Sequence, residues 1–216
     1  MQRKRTVKIV FGVVLILIIV WVADAGLAVR RMQSAKFEAL EPSNFTILGF
    51  DAQIAEEKKW RVIVQNEVPA IYEAREEDFR APDNPDTRGD AERKRIEAND
   101  VLRAMPTVLT EAHIASGRTK LKGRDALRGE YYALSLRLTE EGRSRLWTYC
   151  RNRVGQQMLL YVGDQAWSAP VITNEIASQL WLISRFSPFE SSDLEIGPFF
   201  DEEIPEELLK AALKKP

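Results

Sequence analysis

The order of apolar and polar positions divides this chain into stretches of different character. Residues 9–22 (IVFGVVLILIIVWV) hold no polar side chain and follow a start that carries Arg3, Lys4, Arg5 and Lys8. A basic flank ahead of an apolar run predicts a cytoplasmic N-terminus, with everything after the run delivered across the membrane. The run fits an anchor over residues 7–29, long enough to span roughly 30 Å of hydrocarbon. It also fits a cleaved signal peptide, with Ala23-Asp24-Ala25 as a small-x-small cleavage site. On either reading residues 1–32 are an anchor or signal segment and the folded part is exported.

Downstream, residues 45–50 (FTILGF) and 60–65 (WRVIVQ) read as strands. Close to half of residues 51–104 are Asp, Glu, Lys or Arg, the composition of a solvated face. Within it, residues 81–90 (APDNPDTRGD) have the Pro, Gly and Asp content of a mobile loop. Residues 91–104 fit a polar helix that makes contact through Ile96, Val101 and Leu102. Residues 33–104 are therefore expected to be a charged connecting region with short strands, and residues 105–216 an α+β domain.

In that last part, alternation over 130–138 (EYYALSLRL) places Tyr132, Leu134, Leu136 and Leu138 on one face of a strand. Thr139 suits the N-cap of a following helix, with Glu140 and Glu141 at the positive end of its dipole. Leu146, Cys150 and Val154 recur at every fourth position as its buried stripe beside Trp147, and Gly155 ends it. Arg143, Arg145, Arg151 and Arg153 occupy the opposite side. Residues 158–162 and 165–168 predict a hairpin about Gly163-Asp164, broken by Ala169-Pro170 because proline lacks the amide a ladder needs. A further strand is expected over 180–184, a last helix from about Pro205, and a solvated tail in the acidic stretch 190–207. The expected fold class is α+β: a small antiparallel or mixed sheet with helices packed on one face, preceded by one N-terminal transmembrane helix.

Composition removes most chemistry. With 31 basic and 32 acidic residues the net charge is −1, which provides no dense basic surface for nucleic acid. Cys150 is the single cysteine, so no intrachain disulfide or cysteine-rich zinc site can form. His113 is the single histidine, which excludes mechanisms that need two. The sequence holds no Gly-rich dinucleotide or P-loop signature and no Gly-x-Ser-x-Gly elbow. His113 is expected at a surface or helix end, and Cys150 as inert filler of the buried stripe. No catalytic residue, metal site or small-molecule cofactor is expected, and the chain reads as non-enzymatic. Trp167 and Trp181 fall in neighbouring predicted strands, each facing the core or an exposed apolar surface. If exposed, they suit an extended peptide that adds to a sheet edge.

Several short motifs then follow one another in order. Val108-Leu109-Thr110 precedes the 130–138 strand, and Thr139, Glu141 and Gly142 lead into the helix. Asn152, Val154 and Gly155 follow the helix, and Ser168-Ala169-Pro170-Val171-Ile172 closes the hairpin. Together they resemble the head subdomain of the first periplasmic domain of SecD, in the SecDF protein-export family, over about residues 106–186. There are departures: Glu111 stands where that family has glycine, Gly163-Asp164 reverses its Asp-Gly turn, and residues 174–178 replace its glycine-rich loop. Its six proton-coupled membrane spans have no counterpart in this sequence, so that cycle is not expected here.

The resemblance implies a membrane-tethered, periplasmic module that binds unfolded or translocating polypeptide. Its partner would be such a polypeptide or another envelope protein, the Sec translocon among the candidates. The implied location is a single-pass inner-membrane protein with its C-terminal domain outside, or a secreted one if the first segment is cleaved. Trp167, Ser168, Ala169 and Pro170 are the candidate polypeptide contacts, since a proline break beside an exposed strand leaves backbone groups unpaired. Ser168-Ala169-Pro170 can equally be a conformational stop that only shapes the hairpin. A reading from another class is an envelope assembly scaffold with one defined protein partner.

Overall fold

A computed structural model of the chain describes residues 15–16, 19–20, 22–23, 26–27, 30, 36–65, 68–74, 94–178 and 194–214. In chain order the elements are β1 (Phe45–Gly49), α1 (Ala52–Glu57), β2 (Trp60–Gln65), β3 (Val68–Glu73), α2 (Ala98–Ala104) and β4 (Thr107–Thr110). A 3₁₀ turn (Glu111–His113) leads to β5 (Ile114–Asp125), β6 (Gly129–Leu138), α3 (Glu140–Cys150), β7 (Met158–Val162) and β8 (Gln165–Ser168). Then follow α4 (Asn174–Ala177), β9 (Leu194–Phe199) and α5 (Glu203–Leu213).

The runs FTILG and MLLYV organise the molecule. β1 and β7 pair in the middle of a four-stranded antiparallel sheet of order β4-β1-β7-β8. Strands covered on both faces read as continuous apolar runs, and these two are. Phe45, Ile47, Met158 and Leu160 face one core cluster, while Leu48, Leu159 and Tyr161 face a second. The first cluster is closed by α3, by α5 and by a three-stranded antiparallel sheet of order β5-β6-β9. The second is closed by the β2–β3 hairpin, α1 and α2, through Ala55, Trp60, Ile71, Val101 and Met105.

An α+β architecture of antiparallel sheets and helices is therefore present, with two differences from the expected layers. The four-stranded sheet is covered on both faces, and its second cover comes from the charged region 51–104. Such a charged stretch still supplies one apolar face per element, because only the inward positions need to be apolar. From residue 194 onward the acidic stretch 190–207 is not a solvated tail: β9 pairs with β6, and Leu194, Ile196 and Phe199 are buried.

α3 begins as expected, with the Thr139 hydroxyl accepting the Gly142 N–H at 3.1 Å. It stops at Cys150, earlier than the expected stripe, so Val154 is 48% exposed while Leu146 and Cys150 are fully buried. Gly155 takes φ +85° in the turn that follows, with open space where a Cβ would lie. The Gly163-Asp164 turn has positive φ at Gly163, the first central position, where a two-residue hairpin loop of this kind calls for glycine.

The described residues between 15 and 30 are helical, and their apolar side chains are exposed. Among the described residues no helix is long and apolar enough to cross a membrane. The expected loop at 81–90, the strand at 180–184 and Trp181 lie outside the described residues.

Candidate functional site

β8 is the end strand of the four-stranded sheet, with β7 as its one ladder neighbour among the described residues. Its register with β7 slips by one residue: Tyr161 faces Ala166, yet Leu160 faces Ser168. Trp167 is the extra residue. Alternation along β8 sets the Trp167 indole opposite Ala166, onto the first core cluster, where it lies half-buried, and the bulge brings Ala169 back to the side of Ala166. The indole N–H is shielded from solvent and has no hydrogen-bond partner among the described residues. Ala166 and Ala169 pack on the opposite side, against the second cluster.

Pro170 does not leave its neighbourhood unpaired on the β7 side. Its carbonyl accepts the Met158 N–H at 2.8 Å, and Ile172 donates to the Gln156 carbonyl at 2.8 Å. The Gly155 N–H returns to the Ile172 carbonyl at 2.9 Å, with Gln157 and Val171 as a bridge pair. The strand thus interrupts for one step and resumes. Among the described residues no strand pairs with the outer edge of β8, away from β7.

Two grooves lie where the β2–β3 hairpin meets the sheet, the first against β8 and the second beside Gln156 and Val171. One, of about 410 Å³, is lined by Pro69, Ile71, Arg95, Tyr161, Asp164 and Ala166. The other, of about 480 Å³, is lined by Phe50, Ala55, Trp60, Gln156, Gln157 and Val171. In the second, the Gln156 side-chain oxygen is shielded from solvent without a hydrogen-bond partner among the described residues. Val171 beside it is 48% exposed. The walls of both grooves are partly apolar.

The chemically versatile residues are used in packing. His113 is buried rather than at a surface, at the end of the 3₁₀ turn. Its Nδ1 accepts the Thr110 N–H at 3.3 Å and lies 3.0 Å from the Thr110 hydroxyl. Burial first, then the Arg145 charge, lowers its pKa below the usual value and keeps the ring neutral. Nε2 is 3.9 Å from the exposed Glu141 carboxylate. Cys150 is fully buried and its thiol is pushed up to about 12 by desolvation, so it stays protonated. Among the described residues no group of three His, Cys, Asp or Glu side chains is placed to hold a metal ion.

Two of the arginines expected opposite the buried stripe, Arg145 and Arg153, pack against other parts of the fold. Arg145 donates to the Val108 carbonyl at 3.2 Å and stacks over Phe37 at 5.6 Å. Arg153 lies 4.5 Å over the Tyr149 ring and 3.5 Å from Asp51, the N-cap of α1. Glu111, the departure from the SecD pattern, accepts the Ser43 hydroxyl and, at 3.4 Å, the Phe45 N–H. It ties the entry of β1 to the end of β4, a role a glycine could not fill.

No family model matches the chain, and no curated protein matches it. Among solved structures it is similar to the membrane component SecDF that enhances protein export, at 16% identity and a TM-score of 0.40. That alignment covers 79% of this chain and 63% of the other, so this chain spans less than two thirds of its length. SecDF in a super-membrane-facing form is similar at 17% identity and a TM-score of 0.38, over 78% of this chain and 18% of that one. The likeness is too loose to assign the head subdomain or a role.

Proposed function

We propose that this chain is a membrane-tethered, exported, non-enzymatic module resembling the SecD head, which binds unfolded or translocating polypeptide in connection with Sec-dependent export. The N-terminal apolar run would be the tether, with the domain on the outer face of the inner membrane. The observation that carries the reading is the outer edge of β8, which no strand pairs among the described residues, with one partly apolar groove beside it and a second farther along, beside Val171. An edge strand pairs with an extended chain through main-chain hydrogen bonds, which tolerate any sequence, while shallow apolar grooves take up side chains weakly. Weak, sequence-tolerant binding suits a chain in transit. The ordered SecD-like motifs from Val108 to Ile172 add the link to export. In this reading Trp167 acts as the inner support of β8, and Ser168, Ala169 and Pro170 border the contact.

The test is photo-crosslinking in living cells from Gln165, exposed on β8, with exposed Lys210 on α5 as control. A ladder of exported chains at position 165, lost when translocation is blocked, is the expected result. One sharp band that persists without translocation would instead identify an assembly scaffold with a single envelope partner. Equal labelling from both positions would remove β8 from consideration.

A further inference from the structure

We infer that the tip of the β5–β6 hairpin is a contact for an anionic lipid surface. Leu127 stands at that tip 96% exposed, the most exposed of the large apolar side chains among the described residues. Local hydrogen bonds hold it there: the Asp125 carboxylate accepts the Leu127 N–H at 2.8 Å and the Arg128 N–H at 2.9 Å. Gly129 closes the turn at φ +89°. A turn built by its own backbone presents its apex already ordered, so a contact made there loses little conformational entropy.

Behind the apex the hairpin is basic. Between residues 118 and 131 lie Arg118, Lys120, Lys122, Arg124 and Arg128, against Asp125 and Glu130. Lys120 and Lys122 meet Glu195 of β9 at 3.1 and 2.8 Å, and Arg128 covers the Phe200 ring at 5.2 Å. Counting Glu195 and Glu202, whose carboxylate lies 3.4 Å from the Tyr132 hydroxyl, the five cations still exceed the four carboxylates by one. Leu121, on β5, is 57% exposed. Tyr131 and Phe200, 6.1 Å apart, border a shallow cavity of about 470 Å³ with Tyr132 and Pro198.

The depth order of these groups selects the occupant. At a bilayer, phosphates lie outermost and hydrocarbon beyond them, so a contact needs an apolar apex ahead of a belt of cations and amphipathic aromatics. Lysines on an edge strand also block edge-to-edge pairing, which accounts for part of the charge on β5 but not for a fully exposed leucine. This contact does not depend on polypeptide binding at β8.

The full chain carrying Leu127→Cys is labelled with an environment-sensitive fluorophore, and Cys150, being buried, stays unlabelled. A second preparation carries the label at Val154→Cys, an exposed position beyond α3. Both are mixed with vesicles of phosphatidylcholine alone or with phosphatidylglycerol added. The expected result is a blue shift, with quenching by a lipid-borne quencher, at position 127 on anionic vesicles only. Arg124→Gln then weakens the lipid dependence about fivefold, and added salt weakens it further. Attachment through the N-terminal run alone leaves the label at 127 in water on both vesicle types, and that outcome overturns the proposal. Equal shifts at 127 and 154 overturn it as well. A shift with polyglutamate but not with vesicles would identify an acidic protein as the occupant instead.

Discussion

Replacing Gly142 with alanine sets two local effects against each other. By helix propensity alone the change stabilises α3, by up to about 1 kcal/mol. The fold opposes it. A Cβ at position 142 would lie 2.7 Å from the His113 carbonyl oxygen, 2.9 Å from the His113 Cβ and 3.3 Å from the Leu138 Cβ. Neither a backbone oxygen nor a Cβ can swing aside, so the N-terminus of α3 must move off the 3₁₀ turn. That motion strains the bond from the Thr139 N–H to the His113 carbonyl, now 2.9 Å, and the Thr139 cap on the Gly142 N–H. Overpacking costs about 1–3 kcal/mol, and a weakened cap and hydrogen bond add about 1 kcal/mol. After the propensity gain, Gly142→Ala should destabilise by about 1–3 kcal/mol, which lowers the melting temperature by about 2–4 °C per kcal/mol in a chain of this size. Thermal and urea unfolding of the full chain in mild detergent measure this, with Ser144→Ala as the in-helix control. A Gly142→Ala protein that melts at or above the parent temperature refutes the close-approach argument and leaves the glycine of the Thr-x-Glu-Gly motif unexplained.

Other substitutions test other joints. Gly49→Ala would place a Cβ 2.0 Å from the Tyr149 ring, and should unfold the protein at lower denaturant concentration by about 1–3 kcal/mol. Tyr149→Phe should be neutral or stabilising by up to about 1 kcal/mol in the same assay, because the buried hydroxyl has no hydrogen-bond partner among the described residues. Glu111→Gly, which restores the residue of the SecD pattern, releases Ser43 and Phe45 and should cost about 1–2 kcal/mol in urea unfolding. His113 has a lowered pKa in the folded state, so the unfolded chain binds the proton more readily. Its contribution is fully present above the ordinary value of 6.5 and is lost as pH falls from there toward the lowered folded pKa. His113→Gln should therefore flatten the fall in stability on going from about pH 7 to about pH 5, and an unchanged slope would place that dependence on other groups.

Sequence and structure agree where a signal is local. Thr139 before a glutamate pair, Gly163-Asp164 between two short apolar runs, and Pro205 at the head of an amphipathic segment each act over a few residues, and α3, the β7–β8 hairpin and α5 formed accordingly. The long strand β5 had no such signal. Its residues are mostly exposed or half-buried, with cations at alternate positions, so its pairing with β6 rests on backbone bonds and on Gly117 lying close to Leu136 and Leu209. For the candidate site, the hairpin and its proline break were legible, but that core packs against both faces of β8 was not. Alternation sets Trp167 opposite Ala166, whereas what covers each of those faces depends on distant parts of the chain.

By itself the sequence determined the helix caps, the tight turns, the single histidine and single cysteine, and the apolar N-terminal run. Tertiary structure alone decided that the charged region 51–104 covers the second face of the central sheet, and that part of the acidic stretch 190–207 becomes a buried-face strand. The reason is the range of the forces. Caps and turns are satisfied within one stretch of chain, whereas burial depends on which distant surface arrives. Ile71 joins Ala166 in one buried cluster, and Leu194 pairs with Leu136, across separations that periodicity does not reach.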